Sequence, residues 1–179
     1  MNFATKTIGY LISIPARIKG IKFGKNSFIG PGYDIAPVLK GVILGNNVLI
    51  GRRAWLDISR RALGAEIIIK DGTQIGRNVM MSAAKKITIG KKCLISYNVS
   101  FLDHDHNFVA DISIFDSGIT EAKEIVVEDD CFIGAHSFIL KGVHLGKQCV
   151  VGANSVVADS FPDYSVIAGN PARMIKSLK

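Results

Sequence analysis

The chain is poor in the residues that most often build sites or staples. Its 179 residues include three cysteines, one tryptophan, five prolines and four histidines. An odd cysteine count without paired spacing argues against a disulfide framework and fits a reducing compartment. No apolar run approaches the ~20 residues needed to cross a bilayer. The longest early candidate, IGYLISI at 8–14, is not followed by a small-residue cleavage site, so a cytoplasmic protein is expected. Acidic residues are also scarce: 15 Asp and Glu against 22 Lys and Arg give a formal net charge of +7. The imbalance has a place, because Lys6, Arg17, Lys19, Lys22 and Lys25 all precede the first acidic residue, Asp34. A basic, partly apolar arm over 1–22 could touch an anionic membrane face, but a solvated helix or arm that packs on its neighbour is the preferred reading. Nucleic acid is not expected as a partner, since the basic residues are not interleaved with aromatics and match no known binding motif.

With 48% apolar and 21% charged residues the chain is not disordered, and its length suits one domain with a real core. Read in sixes, 125–158 carries an aliphatic on every beat: Val127, Ile133, Ile139, Leu145, Val151 and Val157. The same beat runs upstream in threes, as Phe23, Ile29 and Ile35, then Leu44, Ile50 and Leu56, then Ile69, Ile75 and Met81, then Ile89, Ile95 and Phe101. Glycine often follows the beat, as at Gly24, Gly45, Gly76 and Gly134.

A period of six is neither helical nor a plain strand alternation. It fits a coil with three flat sides, each a short strand and a turn that points one aliphatic inward. About six such coils, each of about 18 residues, would stack into a narrow prism with aliphatic columns inside. Glycine after the beat would suit corners that need positive φ. Cys93, Cys131 and Cys149 all stand two before a beat, which makes them small inward-packed residues rather than ligands or nucleophiles.

The [Ile/Leu/Val]-Gly-x-x-x-x repeat over roughly 20–175 resembles the hexapeptide-repeat acyltransferases. The ending VIAGNPARMIKSLK at 166–179 is similar to the segment that leads into the basic tail of their sugar and antibiotic O-acetyltransferase branch. The resemblance implies an all-β fold, a left-handed parallel β-helix over 23–179. A short N-terminal helix or arm, one long loop near 103–123 and a short C-terminal tail would complete it. It further implies a homotrimer with sites between subunits, acetyl-CoA as acyl donor and a saccharide hydroxyl as acceptor.

The beat breaks between Phe101 and Val127, and the break opens on FLDHDHNF. Long loops in compact domains are usually functional or disordered. In the family a histidine at the base of such a loop is the general base. The ungapped register, the preferred one, carries that role onto His106, and a gapped alignment on the Asp-His pair would carry it onto His104 instead. Imidazole, with an ordinary pKa of about 6.5, can take the proton of a hydroxyl attacking a thioester and return it to the departing thiolate. Asp103 or Asp105 would orient the ring or simply form the turn.

Carried over by position, coenzyme A would run past Gly134, Ala135, Gly152 and Ala153, with Arg173 and Lys176 meeting its phosphates. The chain departs from the family at Ala158-Asp159, where relatives often place Lys. No metal ligands are assigned. A zinc hydratase on the same fold would want a close histidine pair, and His136 and His144 stand too far apart for it. His144 should point outward and His136 should sit at a corner. The other reading, a β-helix used as an assembly scaffold, explains the core but not two histidines at a loop base. The acceptor is to be sought in 27–37, 55–62 and 107–123.

Overall fold

Short strands follow one another around a three-sided coil in the computed structural model, which describes residues 3–35, 40–59, 62 and 64–179. The first face stacks Lys22–Phe23, Val42–Leu44, Glu66–Ile69, Lys86–Ile89, Ile125–Val127 and His144–Leu145, all parallel. The second stacks Phe28–Ile29, Leu49–Ile50, Gln74–Ile75, Leu94–Ile95, Phe132–Ile133, Val150–Val151 and Ser165–Gly169. The third stacks Asp34–Ile35, Trp55–Ile58, Met80–Ala83, Ser100–Leu102, Phe138–Leu140 and Val156–Val157. The result is a left-handed parallel β-helix of about six coils.

The register piles the beat residues into columns. Ile50, Ile75, Ile95, Ile133, Val151 and Ile167 align on the second face, and Leu56, Met81, Phe101, Ile139 and Val157 on the third. All of these side chains are buried. Apart from Val48, the residues two before the beat on the second face form an inner column of hydroxyls and thiols. Ser27 donates to the Gly45 carbonyl at 2.6 Å, Thr73 to Gly90 at 2.7 Å, Cys93 to Glu128 at 3.1 Å and Cys131 to Gly146 at 3.1 Å. Each side chain thus satisfies a corner carbonyl of the next coil. The cysteines are buried as free thiols, and hydrogen bonding to Cys149 and Cys93, with burial, pushes the Cys131 thiol up.

The corners correct one expectation. Positive φ falls three residues after the beat, at Asn47 (55°), Asn78 (55°), Asn98 (56°) and Asn154 (59°), where asparagine tolerates the left-handed region. Glycine after the beat has a different cause, close stacking. A Cβ on Gly76 would lie 2.6 Å from the Ser96 carbonyl carbon, and one on Gly134 would lie 2.5 Å from the Ala153 nitrogen.

Both ends of the prism are covered. Two helices, α1 (Phe3–Ile12) and α2 (Ile14–Ile18), lie over the first coil. Buried Ser13 receives the Ile29 N–H at 3.0 Å, Arg17 donates to the Ser27 carbonyl at 3.2 Å, and Tyr33 donates to the Ile12 carbonyl at 3.1 Å. The open edge of the first coil therefore has partners from the arm. At the other end the tail is more ordered than expected: after a cis Asn170–Pro171 bond, Ala172–Ser177 returns antiparallel along Ser165–Gly169. No helix among the described residues is long and apolar enough to cross a membrane.

Candidate active site

The excursion leaves the prism where the third face ends. Its two limbs run antiparallel, tied by Asn107 N–H to the Gly118 carbonyl (3.0 Å), Thr120 N–H to Asp105 (2.8 Å) and Lys123 N–H to Asp103 (2.9 Å). The Lys141 ammonium, from the next coil, clamps this base by bonding the Asp105 carboxylate at 2.9 Å and the Thr120 hydroxyl at 2.8 Å. Beyond the limbs the tip is apolar yet exposed, with Phe108 at 74% and Phe115 at 89% of their possible surface.

At the foot of the excursion Asp103 is fully buried. Its carboxylate accepts backbone N–H bonds from Ala84 (2.7 Å), Lys85 (2.7 Å) and Lys86 (2.8 Å), the corner of the preceding coil. The same carboxylate contacts His104 Nδ1 at 2.8 Å. Against a carboxylate oxygen Nδ1 is the ring nitrogen that donates, which leaves Nε2 for another partner. Only 16% of the His104 side chain is exposed, so the ring is held and still reachable. Asp103 thus holds the His104 ring, while Asp105 is bound in the Lys141 clamp.

His106 lies two residues further along the excursion, where its backbone pairs with Ile119 and its side chain is exposed. His136 takes a positive-φ corner (61°) and meets Tyr97 edge-on at 5.3 Å. His144 is exposed, with Nε2 3.2 Å from Glu128. Among the described residues no three His, Cys, Asp or Glu side chains gather as a metal cluster. A polar pair lies on the third face: Ser82 donates to Asp57, which stands in the 55–62 stretch, at 3.0 Å, and Ser82 is in register with Leu102, two residues before His104. Ser82 carries no signal in the sequence, because it stands in no motif and meets Asp57 only through the register of the two strands. Of the stretches expected to touch an acceptor, residues 36–37 and 60–61 lie outside the described residues.

Gly134, Ala135, Gly152 and Ala153 occupy the corner where third-face strands begin, whereas His104 sits where they end. One chain therefore separates these two groups by the full width of a face. Gly134 is tight against the Ala153 backbone, and a Cβ on Gly152 would lie 3.0 Å from Ala168 Cβ, so the next coil already accounts for both. Ala135 and Ala153 leave the corner shallow, with Ala153 exposed. Arg173 is exposed and bonds Asp159 at 3.1 Å, so the acidic residue that replaces the family's Lys is met by the strand beside it. Lys176 is exposed on the same final strand.

The hexapeptide repeat of succinyl-transferase matches residues 124–158. The Escherichia coli protein WbbJ, assigned to lipopolysaccharide biosynthesis as an O-acetyl transferase, is 32% identical over 139 residues, 74% of this chain and 69% of its own. A Mycobacterium tuberculosis protein assigned as an acetyltransferase is 30% identical over 154 residues, and the chain spans only 49% of its length. A Vibrio cholerae hexapeptide-repeat acetyltransferase solved with acetyl-CoA superposes with a TM-score of 0.61 at 25% identity, covering 100% of this chain and 93% of its own. The Bacillus cereus N-acyltransferase AntD, solved with dTDP and 3-hydroxybutyryl-CoA, shares the fold at a TM-score of 0.76 and 23% identity, covering 92% of this chain and 87% of its own. The chain belongs to the hexapeptide-repeat acyltransferase family.

Proposed function

We propose that the chain transfers an acetyl group from acetyl-CoA directly to a saccharide hydroxyl, with His104 as general base. The carrying observation is the buried Asp103 carboxylate, which is fixed by three backbone N–H groups and in turn fixes the His104 ring. His104 Nε2 takes the hydroxyl proton as the oxygen attacks the thioester carbonyl carbon. The tetrahedral adduct then collapses, the C–S bond breaks, and the imidazolium returns its proton to the thiolate. No acyl-enzyme is needed, because donor and acceptor meet at one base. His106 has neither the buried partner nor the shielding, which favours His104 over the ungapped register.

Acetyl-CoA as donor is supported by the Vibrio relative solved with it. A hydroxyl acceptor is supported by the assignment of the Escherichia relative as an O-acetyl transferase. Ala135 and Ala153 would flank the donor, with Arg173 and Lys176 near its phosphates. Since one chain holds this corner away from His104, the complete site takes its corner from a neighbour in a homotrimer. The exposed tip residues Phe108 and Phe115 would be covered in that assembly.

The test is calorimetric titration of CoA into the wild type, His104→Ala and His106→Ala, followed by turnover of acetyl-CoA against hydroxyl and amino sugars. All three should bind CoA at about one per chain, and His104→Ala alone should lose turnover by about 10²–10⁴-fold. Loss confined to His106→Ala would move the base to the ungapped register. Acetylation only of amino sugars would replace the hydroxyl acceptor with an amine. Absence of CoA binding in all three would remove the transferase reading.

A further inference from the structure

We infer that the outer face of the N-terminal arm is a docking surface for an anionic lipid bilayer. Helices usually turn their apolar side to the protein and their polar side to water. Here the inward side is mostly small or polar: Ser13 and Ala16 are fully buried, Gly9 packs so closely on the Phe28 ring that a Cβ would lie 2.7 Å from it, and half-buried Ile12 is the one large apolar side chain among the described residues of this side. The outward side is apolar, with Ile8 and Leu11 on α1 and Ile14 and Ile18 on α2 all exposed, Ile18 at 80%. Within each helix the spacing of three or four residues puts the pair on one side, Ile8 with Leu11 and Ile14 with Ile18.

Charge selects the occupant. No Asp or Glu occurs before Asp34, while exposed Lys19 and Lys22 directly follow the apolar side chains. The cleft between the arm and the first coil adds Lys25 and Arg17, whose guanidinium lies 4.1 Å from the Phe23 ring centre and 4.9 Å from that of Tyr10. Apolar side chains flanked by cations, with no anions, match a surface of acyl chains under negative headgroups. A two-fold contact of this face with its own copy would instead set lysine against lysine. The inference does not depend on the acetyl-transfer reading.

The test is co-sedimentation of the full chain with phosphatidylglycerol vesicles and with phosphatidylcholine vesicles, each at low and high salt. The wild type should bind the anionic vesicles, release them at high salt and leave the neutral ones. The exposed triple variant Ile8→Ser/Leu11→Ser/Ile18→Ser should keep the wild-type melting temperature and lose binding by about tenfold or more. Lys19→Glu/Lys22→Glu should weaken binding in the same direction. No binding to anionic vesicles, or undiminished binding by the triple variant, overturns the inference. A fall in oligomeric mass of the triple variant on light scattering, without vesicle binding by the wild type, would assign this face to a contact between chains and also overturn it.

Discussion

The base and the tip of the excursion at 103–123 belong to one loop, yet they are held by different means. At the base a buried carboxylate accepts backbone N–H groups from a neighbouring coil, and His104 hangs from it. At the tip Phe115 is 89% exposed, and the hydrogen bonds run within the loop, as from the Ser117 hydroxyl to the Asn107 carbonyl at 2.6 Å. His106, only two positions on from His104, is already on the side where the loop holds itself. The difference teaches that proximity to the fold, more than position in a motif, sets how well a side chain is aimed.

The sharpest way to break this comparison is Asp103→Ala. Three part-buried N–H donors would lose a charged acceptor, each bond being worth about 1–1.5 kcal/mol, so a loss near ~3–5 kcal/mol is expected in urea unfolding. The gentler Asp103→Asn should keep the fold and lower kcat by at least about 10²-fold, because an amide cannot hold the same tautomer against the ring. Unchanged kcat in Asp103→Asn would detach the carboxylate from the chemistry. Next in size is the wall of the prism. Ile89→Ala should cost about 2–5 kcal/mol, since a fully buried column residue leaves a cavity between tightly stacked coils. A value below ~1 kcal/mol would mean that the columns relax more than their register suggests.

The sequence made the walls legible because the fold repeats one physical requirement at every beat. Val127, Ile133 and Ile139 are buried where the count of six puts them, and the cysteine column packs inward as its spacing implies. Glycine was harder to interpret. A Gly in the sequence does not say whether its φ or its missing Cβ matters, and here contact between coils decides. The final strand was hidden too, because ARMIKS has no clean alternation and owes its pairing to Ser165–Gly169. In the site, Asp103 and Asp105 looked equivalent as flanks of His104. Burial separates them, and burial there depends on the corner at Ala84–Lys86, far off in the chain. Asp57 and Ser82 meet only through strand register, which no local motif encodes.

A smaller effect probes the donor corner. Ala153 is exposed and its backbone serves the coil, so Ala153→Trp should leave the melting temperature within a degree or two, as about ±0.5 kcal/mol is usual for such surface changes. The same change should weaken CoA by about tenfold or more if the ligand passes this corner, as calorimetry would read. Equal CoA affinity would move the donor groove elsewhere on the prism.

The smallest expected effect is at the clamp. Lys141 holds Asp105 and Thr120 from a partly exposed position, so Lys141→Met should cost only about 0.5–1 kcal/mol. Its visible consequence should be local: faster limited proteolysis within 108–117, with the rest of the chain protected. Because His104 is fixed to Asp103, and Asp103 to a different coil, kcat should fall by no more than a few-fold while the KM for the acceptor rises. If kcat instead fell as far as in Asp103→Asn, the loop limbs rather than the buried carboxylate would be aiming the imidazole. The base and the tip would then act as one mechanical unit.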